Sequence, residues 1–503
     1  MNTLLVYPKC PNTFWSFKHA LKFIFKEALH PPLGLITVAA MLPFKWKKKL
    51  IDMNLEALTD KDIEWADYVL ISAMEIQKKS VKAIIERCKK IGKKIIAGGP
   101  LFTVEPELFK DINHLVLNEA EITLPLFLAD LAKGKAKHIY TSDEFPDLSK
   151  TPIPLWSLLN MKKYVSMNVQ YSRGCPFNCE FCDITSLYGH KSRTKDKNQL
   201  LSELDNLYSS GWRGNVFFVD DNFIGNKSKL KSNILPALIN WMKGKKYPFN
   251  FSTEASIDLS DDEILMDMMV NAGFDGVFVG IETPNEESLA ECNKLQNQNR
   301  DLVACVNKIQ KYGLEVHAGF IVGFDSDTPS IFEKQIEFIQ KSRIITAMVG
   351  ILNAPRGTKL YKRIEMEGRL LKEISGTNND SSTNIIPKMG MEKLVNGYKR
   401  IIKGTYSAKP YYKRVKEYIR KDRPLTKRTY RIHLGHIRYH FGYIGAIFKS
   451  IWVLGIKDRE RTHYWKLLFW TLLKRPRHLP MAIGYAIYGF HFRKVYENYL
   501  YKC

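Results

Sequence analysis

The stretch YSRGCPFNCEFCDIT, residues 171–185, places three of the eight cysteines of the chain within eight positions. Three residues separate Cys175 from Cys179, and two separate Cys179 from Cys182. The stretch follows a short apolar run that predicts a β-strand. Three thiolates cannot complete a tetrahedral zinc site without a fourth protein ligand. They can bind three irons of a [4Fe–4S] cluster, which leaves the fourth iron open to a substrate or cosubstrate.

Two plainer interpretations of these cysteines also exist. They could be three unrelated core thiols, or a zinc knuckle that takes His190 as its fourth ligand. The strand before the loop and the close spacing favour the cluster. The remaining cysteines are scattered singly, which is typical of a reduced, cytoplasmic protein rather than a disulfide framework. The first residues, MNTLLVYPKC, lack the basic segment and cleavage site of a signal peptide.

Residues 1–145 alternate short Val/Ile/Leu runs with helical patterns. This alternation predicts a parallel sheet with helices on both faces, and therefore a doubly wound, Rossmann-like α/β domain. Ligands of such domains bind beyond the carboxyl ends of the strands. The residues expected at those ends are Asn54, Ser72, Ala73, Gly98, Gly99 and Glu119.

The rest of the chain divides into three segments. Residues 146–164 are rich in proline and polar residues and predict a linker. Residues 165–372 contain six βα units, which predict a partial (β/α)6 barrel with its chemistry at the carboxyl ends of the strands. Within it, Ser260 and Glu263 predict a capping box at a helix start. Residues 373–503 begin with a polar loop and predict a mainly helical domain.

The net charge of +24 is concentrated near the carboxyl end. Residues 409–503 contain 22 lysines and arginines against 5 aspartates and glutamates, a net charge of +17. Residues 430–496 also contain apolar, aromatic patches, but no apolar run is long enough to span a bilayer. Amphipathic helices of this kind can lie on an anionic membrane, which predicts a peripheral location on the inner membrane face. Alternatively, they form a helical cap on the barrel. A nucleic-acid partner is not favoured, because the segment is too apolar for a groove that follows phosphates.

The CxxxCxxC spacing, with Phe181 before the last cysteine, resembles the radical S-adenosylmethionine (SAM) enzymes. The resemblance implies that Cys175, Cys179 and Cys182 bind a [4Fe–4S] cluster whose open iron binds SAM. An electron from the cluster then cleaves SAM to a 5′-deoxyadenosyl radical. The other cofactor-binding positions that the resemblance implies are Phe181, Asp220, Asp221, Asn222, Glu254, Ser256 and Glu282.

The amino-terminal domain resembles the cobalamin-binding subclass of that family. The similar segments are PPLGLITVAAML (31–42), LIDMN (50–54), IIAGGP (95–100) and LNEAEITL (117–124). The Asp-x-His-x-x-Gly motif of other cobalamin proteins is absent, because the histidines of this region, His19, His30 and His114, do not fit it. Either the domain binds cobalamin without a protein histidine, as in many members, or it keeps the fold and has lost the corrinoid. The first alternative is favoured.

Residues 351–370, 397–415 and 471–492 resemble the subgroup that includes the hopanoid C-methylases. This resemblance implies a cobalamin-dependent radical SAM C-methyltransferase that methylates an unactivated carbon of an apolar, lipid- or isoprenoid-like substrate. A reductant such as flavodoxin or ferredoxin would supply its electrons. One alternative is a radical SAM enzyme that couples, cyclises or rearranges a lipid without cobalamin. The other is a non-catalytic iron–sulfur protein that binds RNA or membranes.

Overall fold

The computed structural model describes residues 1–371, 376, 380–421 and 445–500, and only the backbone of residues 498–500. The described chain forms two compact units. The first unit contains Met1–Pro11, Glu27–Pro176 and Asp183–Asp221. The second unit contains Asn12–Lys26, Phe177–Cys182 and Asn222–Cys503. Part of the predicted polar loop after residue 372, and residues 430–444 of the apolar segment, lie outside the described residues.

The strands are short, and most of them are parallel. In chain order they are β1 (Asn2–Tyr7), β2 (Lys47–Asp52), β3 (Tyr68–Ser72), β4 (Lys94–Gly98), β5 (His114–Val116), β6 (Ile139–Tyr140), β7 (Ser166–Val169), β8 (Ser172–Arg173), β9 (Arg193–Thr194), β10 (Gly214–Phe218), β11 (Phe249–Glu254), β12 (Phe274–Glu282), β13 (Glu315–Val322) and β14 (Ala347–Ile351).

Helices separate most of these strands and make up the carboxyl-terminal region. They are α1 (Lys18–Leu21), α2 (Leu33–Met41), α3 (Asp60–Trp65), α4 (Lys78–Ile91), α5 (Pro100–Val104), α6 (Ala120–Ala132), α7 (Ile184–Tyr188), α8 (Lys197–Ser209), α9 (Lys227–Lys229), α10 (Leu235–Gly244), α11 (Glu263–Asn271), α12 (Glu286–Glu291), α13 (Leu302–Tyr312), α14 (Ile331–Ser342), α15 (Lys359–Met366), α16 (Met391–Tyr406), α17 (Ala408–Lys421), α18 (Arg461–Lys474) and α19 (Leu479–Leu500). Residues 445–450 are also helical and continue as a π-helix, Ile451–Lys457.

The first unit contains a six-stranded sheet in the order β2-β1-β3-β4-β5-β6, with every pair parallel. The central strands are apolar and buried because helices cover both faces of the sheet. The strand order reverses between β1 and β3. In doubly wound folds, ligands bind at this switch point, beyond the carboxyl ends of the strands.

The first unit also contains a parallel pair, β7 with β10, and an antiparallel pair, β8 with β9. In the second unit, strands β11 to β14 pair in chain order and are all parallel. Each parallel connection in this unit contains a helix, so these strands belong to successive βα units. The predicted α/β fold class, with a helical carboxyl-terminal region, is confirmed.

The predicted capping box at Ser260 and Glu263 is wrong. Helix α11 begins at Glu263, and its N-cap is Asp262, whose carboxylate accepts the N–H of Leu265 at 2.9 Å. Ser260 lies in the preceding 3-10 turn, Ile257–Asp261. The short side chain of Asp262 stands directly before the first turn, so it can cap the helix where Ser260 cannot.

The carboxyl-terminal helices cover the outer edge of the second unit's sheet. The hydroxyl of Tyr406 on α16 donates to Ala347 O of β14 at 2.6 Å and accepts its N–H at 2.9 Å. Helix α19 contacts the segment before α1: the rings of Phe14 and Phe492 stack at 4.3 Å, and His491 Nε2 lies 2.9 Å from Phe14 O. Residues far apart in the chain therefore share one core.

Helix α19 contains the patch MAIGYAIYGF, which was expected either on a membrane or in a helical cap. Most of its apolar side chains are buried, including Ile483, Tyr485 and Ile487. The hydroxyl of Tyr411 on α17 donates to Tyr485 O at 2.7 Å. This patch therefore belongs to the helical cap. Among the described residues, no helix has the length and apolarity required to cross a membrane.

Candidate active site

The cysteine loop begins in the first unit, directly after β8. Gly174 has a φ of +88°, and a Cβ at this position would lie 2.6 Å from Lys191 O. Only glycine can adopt this backbone conformation without strain and fit the space. The N–H of Cys175 donates to Gly189 O at 3.3 Å, and the Cys175 side chain is half-buried. The backbone before the first thiol is therefore fixed by a tight turn.

Asp220 and Asp221, two of the predicted SAM-binding residues, contact this same turn. The buried carboxylate of Asp220 accepts the N–H of Tyr171 at 3.1 Å, and also the N–H and hydroxyl of Ser172. Asp221 accepts the N–H of Gly174 at 2.8 Å. Burial raises the pKa of Asp220 to about 7 and that of Asp221 to about 6. Both carboxylates thus hold the entrance to the cysteine loop.

An ion-pair network, which we call the first network, holds Arg173 in place. It consists of Arg173, Arg193, Glu119 and Glu121, all in the first unit. Arg173 binds Glu119 at 2.7 Å and Glu121 at 2.8 Å, and Arg193 binds Glu119 at 2.7 Å. Burial alone would raise the pKa of Glu121, but Arg173 lowers it. Glu119, predicted as a ligand contact at a strand end, is buried and paired with two arginines.

The middle of the cysteine loop lies in the second unit. The N–H of Glu180 donates to Cys292 O at 2.9 Å, and Glu180 O accepts the N–H of Leu360 at 3.0 Å. Asn293 Nδ2 donates to Asn178 O at 2.8 Å. The N–H of Cys182 donates to Cys179 O at 3.2 Å, which closes a turn between the last two cysteines. Backbone contacts therefore fix the loop on either side of Cys179.

A second network fixes the side chain of Glu180. It consists of Glu180, Glu291, Asp325, Arg363 and Arg369. Arg363 forms a bidentate pair with Glu180 at 2.7 and 3.0 Å, and it also contacts Asp325 at 3.0 Å and Glu291 at 3.3 Å. Burial opposes ionisation of Asp325, but hydrogen bonds from Arg369 and Arg363 lower its pKa to about 2. This carboxylate is therefore charged at neutral pH.

Polar side chains surround the buried thiol of Cys179. Gln296 Nε2 donates to Cys179 Sγ at 3.7 Å. Lys294 Nζ binds Glu282 at 2.7 Å and lies 5.8 Å from the ring centroid of Phe181. Burial would lower the pKa of Lys294, but Glu282 and the thiols of Cys179 and Cys182 raise it. A buried cation therefore lies beside two of the predicted cluster ligands.

Two more of the predicted SAM-binding residues contact each other in the second unit. Asn222 Nδ2 donates to Ser256 Oγ at 3.1 Å, and Asn222 Oδ1 accepts the N–H of Ser256 at 3.3 Å. Glu254 is the last residue of β11 and is half-buried. Glu282 ends β12 with a φ of +62°. The predicted polar residues thus lie at the carboxyl ends of neighbouring strands.

The ends of the first unit's strands carry small or mutually bonded side chains. Asn54 Oδ1 accepts the N–H of Cys10 at 2.8 Å, which fixes the loop after β1. Ser72 ends β3 and Ala73 follows it, and a Cβ on Gly99 would lie 2.7 Å from Ser72 Oγ. A Cβ on Gly98 would lie 2.5 Å from Val116 O. The small residues at the carboxyl ends of β3 and β4 therefore leave room there for a large ring to approach the backbone.

Sequence reasoning missed several residues around the loop. Lys294, Gln296 and Arg363 are single polar residues without a motif, and Arg173 resembles any loop cation. Only the fold brings them to the cysteines or to Glu180. Among the described residues, no three His, Cys, Asp or Glu side chains surround a common metal position.

Comparisons with known proteins identify the domains of the chain. The B12 binding domain model matches residues 27–128, and the radical SAM superfamily model matches residues 169–339. A domain of unknown function, DUF4070, matches residues 358–502. An uncharacterized methyltransferase of Synechocystis sp. is 41% identical over 501 residues, which cover 99% of this chain and 92% of that protein.

The hopanoid C-2 methylase of Rhodopseudomonas palustris is 31% identical over 481 residues, which cover 94% of this chain and 89% of that protein. The chain belongs to the cobalamin-binding radical SAM methyltransferases. The expected alternative of a non-catalytic protein is therefore wrong, because both enzymatic domains and methyltransferase relatives match. The expected radical SAM enzyme without cobalamin is likewise not supported, because the B12 binding domain is present.

Solved structures of the family share the fold. The cobalamin-dependent SAM radical enzyme OxsB, with aqua-cobalamin and SAM bound, aligns with a TM-score of 0.62 at 15% identity, over 99% of this chain and 79% of that one. The radical SAM methyltransferase TsrM from Kitasatospora setae, with cobalamin and a [4Fe–4S] cluster bound, aligns with a TM-score of 0.57 at 14% identity, over 74% and 79%. These likenesses support the fold.

The family's cofactors are a [4Fe–4S] cluster, SAM and cobalamin. The donor chemistry fits the cluster, because the loop supplies three thiols and the adjacent Lys294 offsets thiolate charge. When bound, the cluster supplies the electron that cleaves SAM. Cys175, Cys179 and Cys182 would hold it, and Gln296 would donate a hydrogen bond to one ligand sulfur.

The polar strand ends of the second unit fit SAM, whose ammonium, carboxylate and hydroxyls all form hydrogen bonds. Asn222, Ser256 and Glu254 remain predicted contacts. The small residues at the carboxyl ends of β3 and β4, beside the switch point, fit a corrinoid, which supplies a transferable methyl group when bound. His114 begins β5, so it lies at the opposite end of that strand from the switch point. No residue is assigned as a cobalt ligand.

Proposed function

We propose that the protein methylates an unactivated carbon of an apolar, lipid- or isoprenoid-like substrate. One observation carries this proposal: the 31% identity to a hopanoid C-2 methylase extends over 94% of the chain, well beyond the radical SAM domain itself. The substrate class of an enzyme depends on the residues outside the shared cofactor sites. Similarity over those regions therefore supports a related class of substrate.

An apolar surface in the second unit supports the same substrate class. Phe278 on β12 and Met348 on β14 are both half-buried, and both approach the space that a side chain on Gly319 would fill. The ring of Trp15 meets that of Phe278 edge-on at 5.4 Å. Glu282 ends β12, which carries Phe278, and Glu254 ends the neighbouring strand β11. A hydrocarbon substrate would bind such a surface by burying apolar area.

The proposed reaction replaces a C–H bond with a C–CH3 bond and consumes two SAM molecules. The first is reduced by one electron and yields methionine and, after taking the substrate hydrogen, 5′-deoxyadenosine. The second donates the methyl group and yields S-adenosylhomocysteine. The overall balance requires two electrons, and the corrinoid, when bound in the first unit, would supply the transferable methyl group. A flavodoxin or ferredoxin would supply both electrons.

The proposal is tested with reconstituted holoenzyme, a reductant and SAM that carries a deuterated methyl group. Total lipid extracts of a strain that lacks the gene serve as substrate. Mass spectrometry should find the label in a lipid that also gains one methyl group, with 5′-deoxyadenosine and S-adenosylhomocysteine formed in equal amounts. In the deletion strain, the same lipid should lack one CH2 mass.

Two results would contradict the proposal. If the label enters only water-soluble products, the substrate is not a lipid. If 5′-deoxyadenosine accumulates without S-adenosylhomocysteine or labelled product, the protein does not transfer methyl groups. The Cys179→Ala enzyme is the matched control and should give neither product.

A further inference from the structure

We propose that an apolar patch on the second unit binds the surface of anionic membranes. The patch consists of Phe25, Phe448, Trp452, Phe469, Leu472 and Leu473. All six side chains are exposed, from 53% for Trp452 and Leu472 to 78% for Leu473. Scattered single apolar residues on a surface are ordinary, but a group contributed by three segments marks an interaction site.

The first part of the patch lies on the helical segment 445–457. Phe448 and Trp452 are four residues apart, so they lie on one face of the helix. The opposite face is buried, because Ala446 and Leu454 belong to the core of the unit. The segment therefore has a core side and an exposed aromatic side.

Phe25 joins the patch from a distant part of the sequence. Its ring would contact a Cβ on Gly445 at 3.1 Å, and Lys449 Nζ lies 4.9 Å from its ring centroid. Lys449 Nζ also donates to Lys22 O at 2.7 Å. The same segment that carries Phe448 thus holds Phe25 beside it, although Phe25 remains 70% exposed.

Helix α18 supplies the third part. Phe469, Leu472 and Leu473 follow a spacing of three and four residues, which places them on one helical face. Trp465 connects this helix to the segment 445–457: its Nε1 donates to Gly455 O at 2.9 Å, and its ring stacks on Phe469 at 5.5 Å. The three segments are therefore held together by direct contacts.

The segments that carry the patch are rich in cations. Between residues 445 and 478 there are eight lysines and arginines against one aspartate and one glutamate. The aspartate, Asp458, is paired with Arg493 at 2.8 Å. Lys457 Nζ lies 5.0 Å from the ring of Trp452, where its ammonium can reach headgroups while the ring inserts. Exposed aromatic groups beside cations match the boundary between acyl chains and anionic headgroups.

This composition favours a bilayer over a nucleic acid, because the aliphatic and aromatic side chains offer phosphate no hydrogen bonds. A membrane surface would also bring the protein to the compartment that contains apolar substrates. The inference goes beyond the proposed function, and its test involves no methyl transfer. Either one can therefore fail without the other.

The test measures binding of the full-length holoprotein to vesicles of phosphatidylglycerol and phosphatidylcholine by sedimentation. We expect the wild type to bind these vesicles and to bind pure phosphatidylcholine vesicles at least about tenfold more weakly at low salt. Salt near 0.5 M should release only part of the protein, because screening weakens the electrostatic attraction but not apolar insertion.

Point variants identify the surface, since removing α19 would also remove core packing. The triple variant Phe448→Ser/Trp452→Ser/Leu473→Ser should lower the partition coefficient about tenfold or more at both salt concentrations. The double variant Ile264→Ser/Met366→Ser is the matched control, because those side chains are exposed elsewhere in the second unit. It should bind as the wild type does.

A second variant needs no change in the apolar residues. Lys457→Glu/Lys466→Glu should weaken binding at low salt and differ little from wild type near 0.5 M salt. Cluster absorbance and melting temperature verify that each variant is folded. The inference is overturned if wild type stays in the supernatant with anionic vesicles, or if the triple variant binds within about twofold of it. Concentration-dependent dimers that the triple variant loses, without vesicle binding, would assign the patch to a second copy instead.

Discussion

The two ion-pair networks hold the same cysteine loop by different means. The first network fixes Arg173, two residues before Cys175, and is almost fully buried: the side chains of Glu119 and Arg173 are 3% and 13% exposed. The second fixes Glu180, between Cys179 and Cys182, and its central Arg363 is 27% exposed. The first balances two arginines against two glutamates, whereas the second places three carboxylates within 3.3 Å of Arg363.

The two networks should differ in how strongly the loop is destabilised when one charged side chain is removed. In the buried network, no water can replace a missing partner, so the remaining charge is strongly destabilised. In the second network, solvent reaches Arg363, and Asp325 keeps its pair with Arg369, so part of the loss is compensated. The first network therefore acts as a rigid support of the loop, and the second as a more tolerant one.

The largest expected effect comes from removing a cysteine of the loop that both networks support. Cys179→Ala should abolish cluster binding, because two thiolates cannot hold the cluster in the geometry that leaves one iron open to SAM. Iron content after anaerobic reconstitution should fall to background, and SAM cleavage under dithionite should be lost. Cys305→Ala, a half-buried cysteine outside the loop, is the control and should keep its iron. Normal iron in the Cys179 variant would refute the ligand assignment.

The comparison itself is tested by Arg173→Met against Arg363→Met. Removing one partner of a buried pair costs about 3–5 kcal/mol, so Arg173→Met should destabilise the loop by about that amount. Arg363→Met should cost about 1–2 kcal/mol, because its hydrogen bonds are partly solvated and partly replaced. Hydrogen exchange of peptides that contain Gly174 or Glu180 measures each local opening.

If Arg173→Met and Arg363→Met lose equal hydrogen-exchange protection, the two networks do not differ in rigidity.

A third variant, Glu119→Gln, tests the first network separately. This change keeps the shape of the side chain and should weaken the protection of Gly174. It should leave cobalamin affinity within about threefold, because Glu119 contacts arginines rather than an open edge.

One buried histidine in each unit should lose its contribution to stability in acid. Burial lowers the pKa of His30 in the first unit and of His491 in the second to about 4. Unfolded histidine titrates near 6.5, so between these values each histidine is more protonated in the unfolded chain, and its contribution to stability falls as pH drops through that window. Each histidine should cost roughly 2 kcal/mol between pH 7 and pH 5.

Thermal unfolding across that pH range measures this loss. His491→Gln retains an N–H donor for Phe14 O but cannot titrate, so its melting temperature should fall less steeply with acid. His138→Gln, on the exposed surface, should follow the wild type. A wild-type slope in the His491 variant would contradict the assignment.

The smallest expected effect is a shift in the reduction potential of the cluster. Gln296→Leu removes the hydrogen bond to Cys179 Sγ, which would stabilise the more negative, reduced cluster. If this bond contributes ~1 kcal/mol, the one-electron reduction potential should fall by about 40 mV. A redox titration followed by electron paramagnetic resonance measures the shift. Gln298→Leu, two residues along the same loop, is the control, and an unchanged potential in the Gln296 variant would contradict the proposed contact.

Much of the fold could be predicted from local pattern. Buried parallel strands such as β1 and β3 are continuous apolar runs, and the helices between them have regular spacing, so periodicity alone identifies them. The spacing of the three cysteines in the loop predicted the [4Fe–4S] cluster. These features depend on residues that are close in sequence, and the structure contains the strands and helices predicted from them.

The partners of the polar residues could not be predicted, because they come from distant positions. Asp220 and Asp221 are predicted SAM contacts, and their carboxylates also accept hydrogen bonds from the backbone of residues 171–174, which no sequence signal indicates. Glu119 is a predicted ligand contact, and its partners Arg173 and Arg193 lie more than 50 residues away in the chain. A carboxylate at a strand end has the same sequence signal whether it binds a ligand or a neighbouring loop, and only the fold decides.

The stacking of Phe14 on Phe492 has a consequence for synthesis on the ribosome. All segments of the first unit have been synthesised once residue 221 is made, whereas Phe14 must wait for a partner in α19, and His491 is 477 residues from Phe14. At ~5–20 residues per second, this wait lasts on the order of tens of seconds. During that time the aromatic residues near Phe14 stay uncovered, so the nascent chain is a ready client for chaperones. A stop codon late in the gene would leave those residues permanently unpaired, far from the lesion itself.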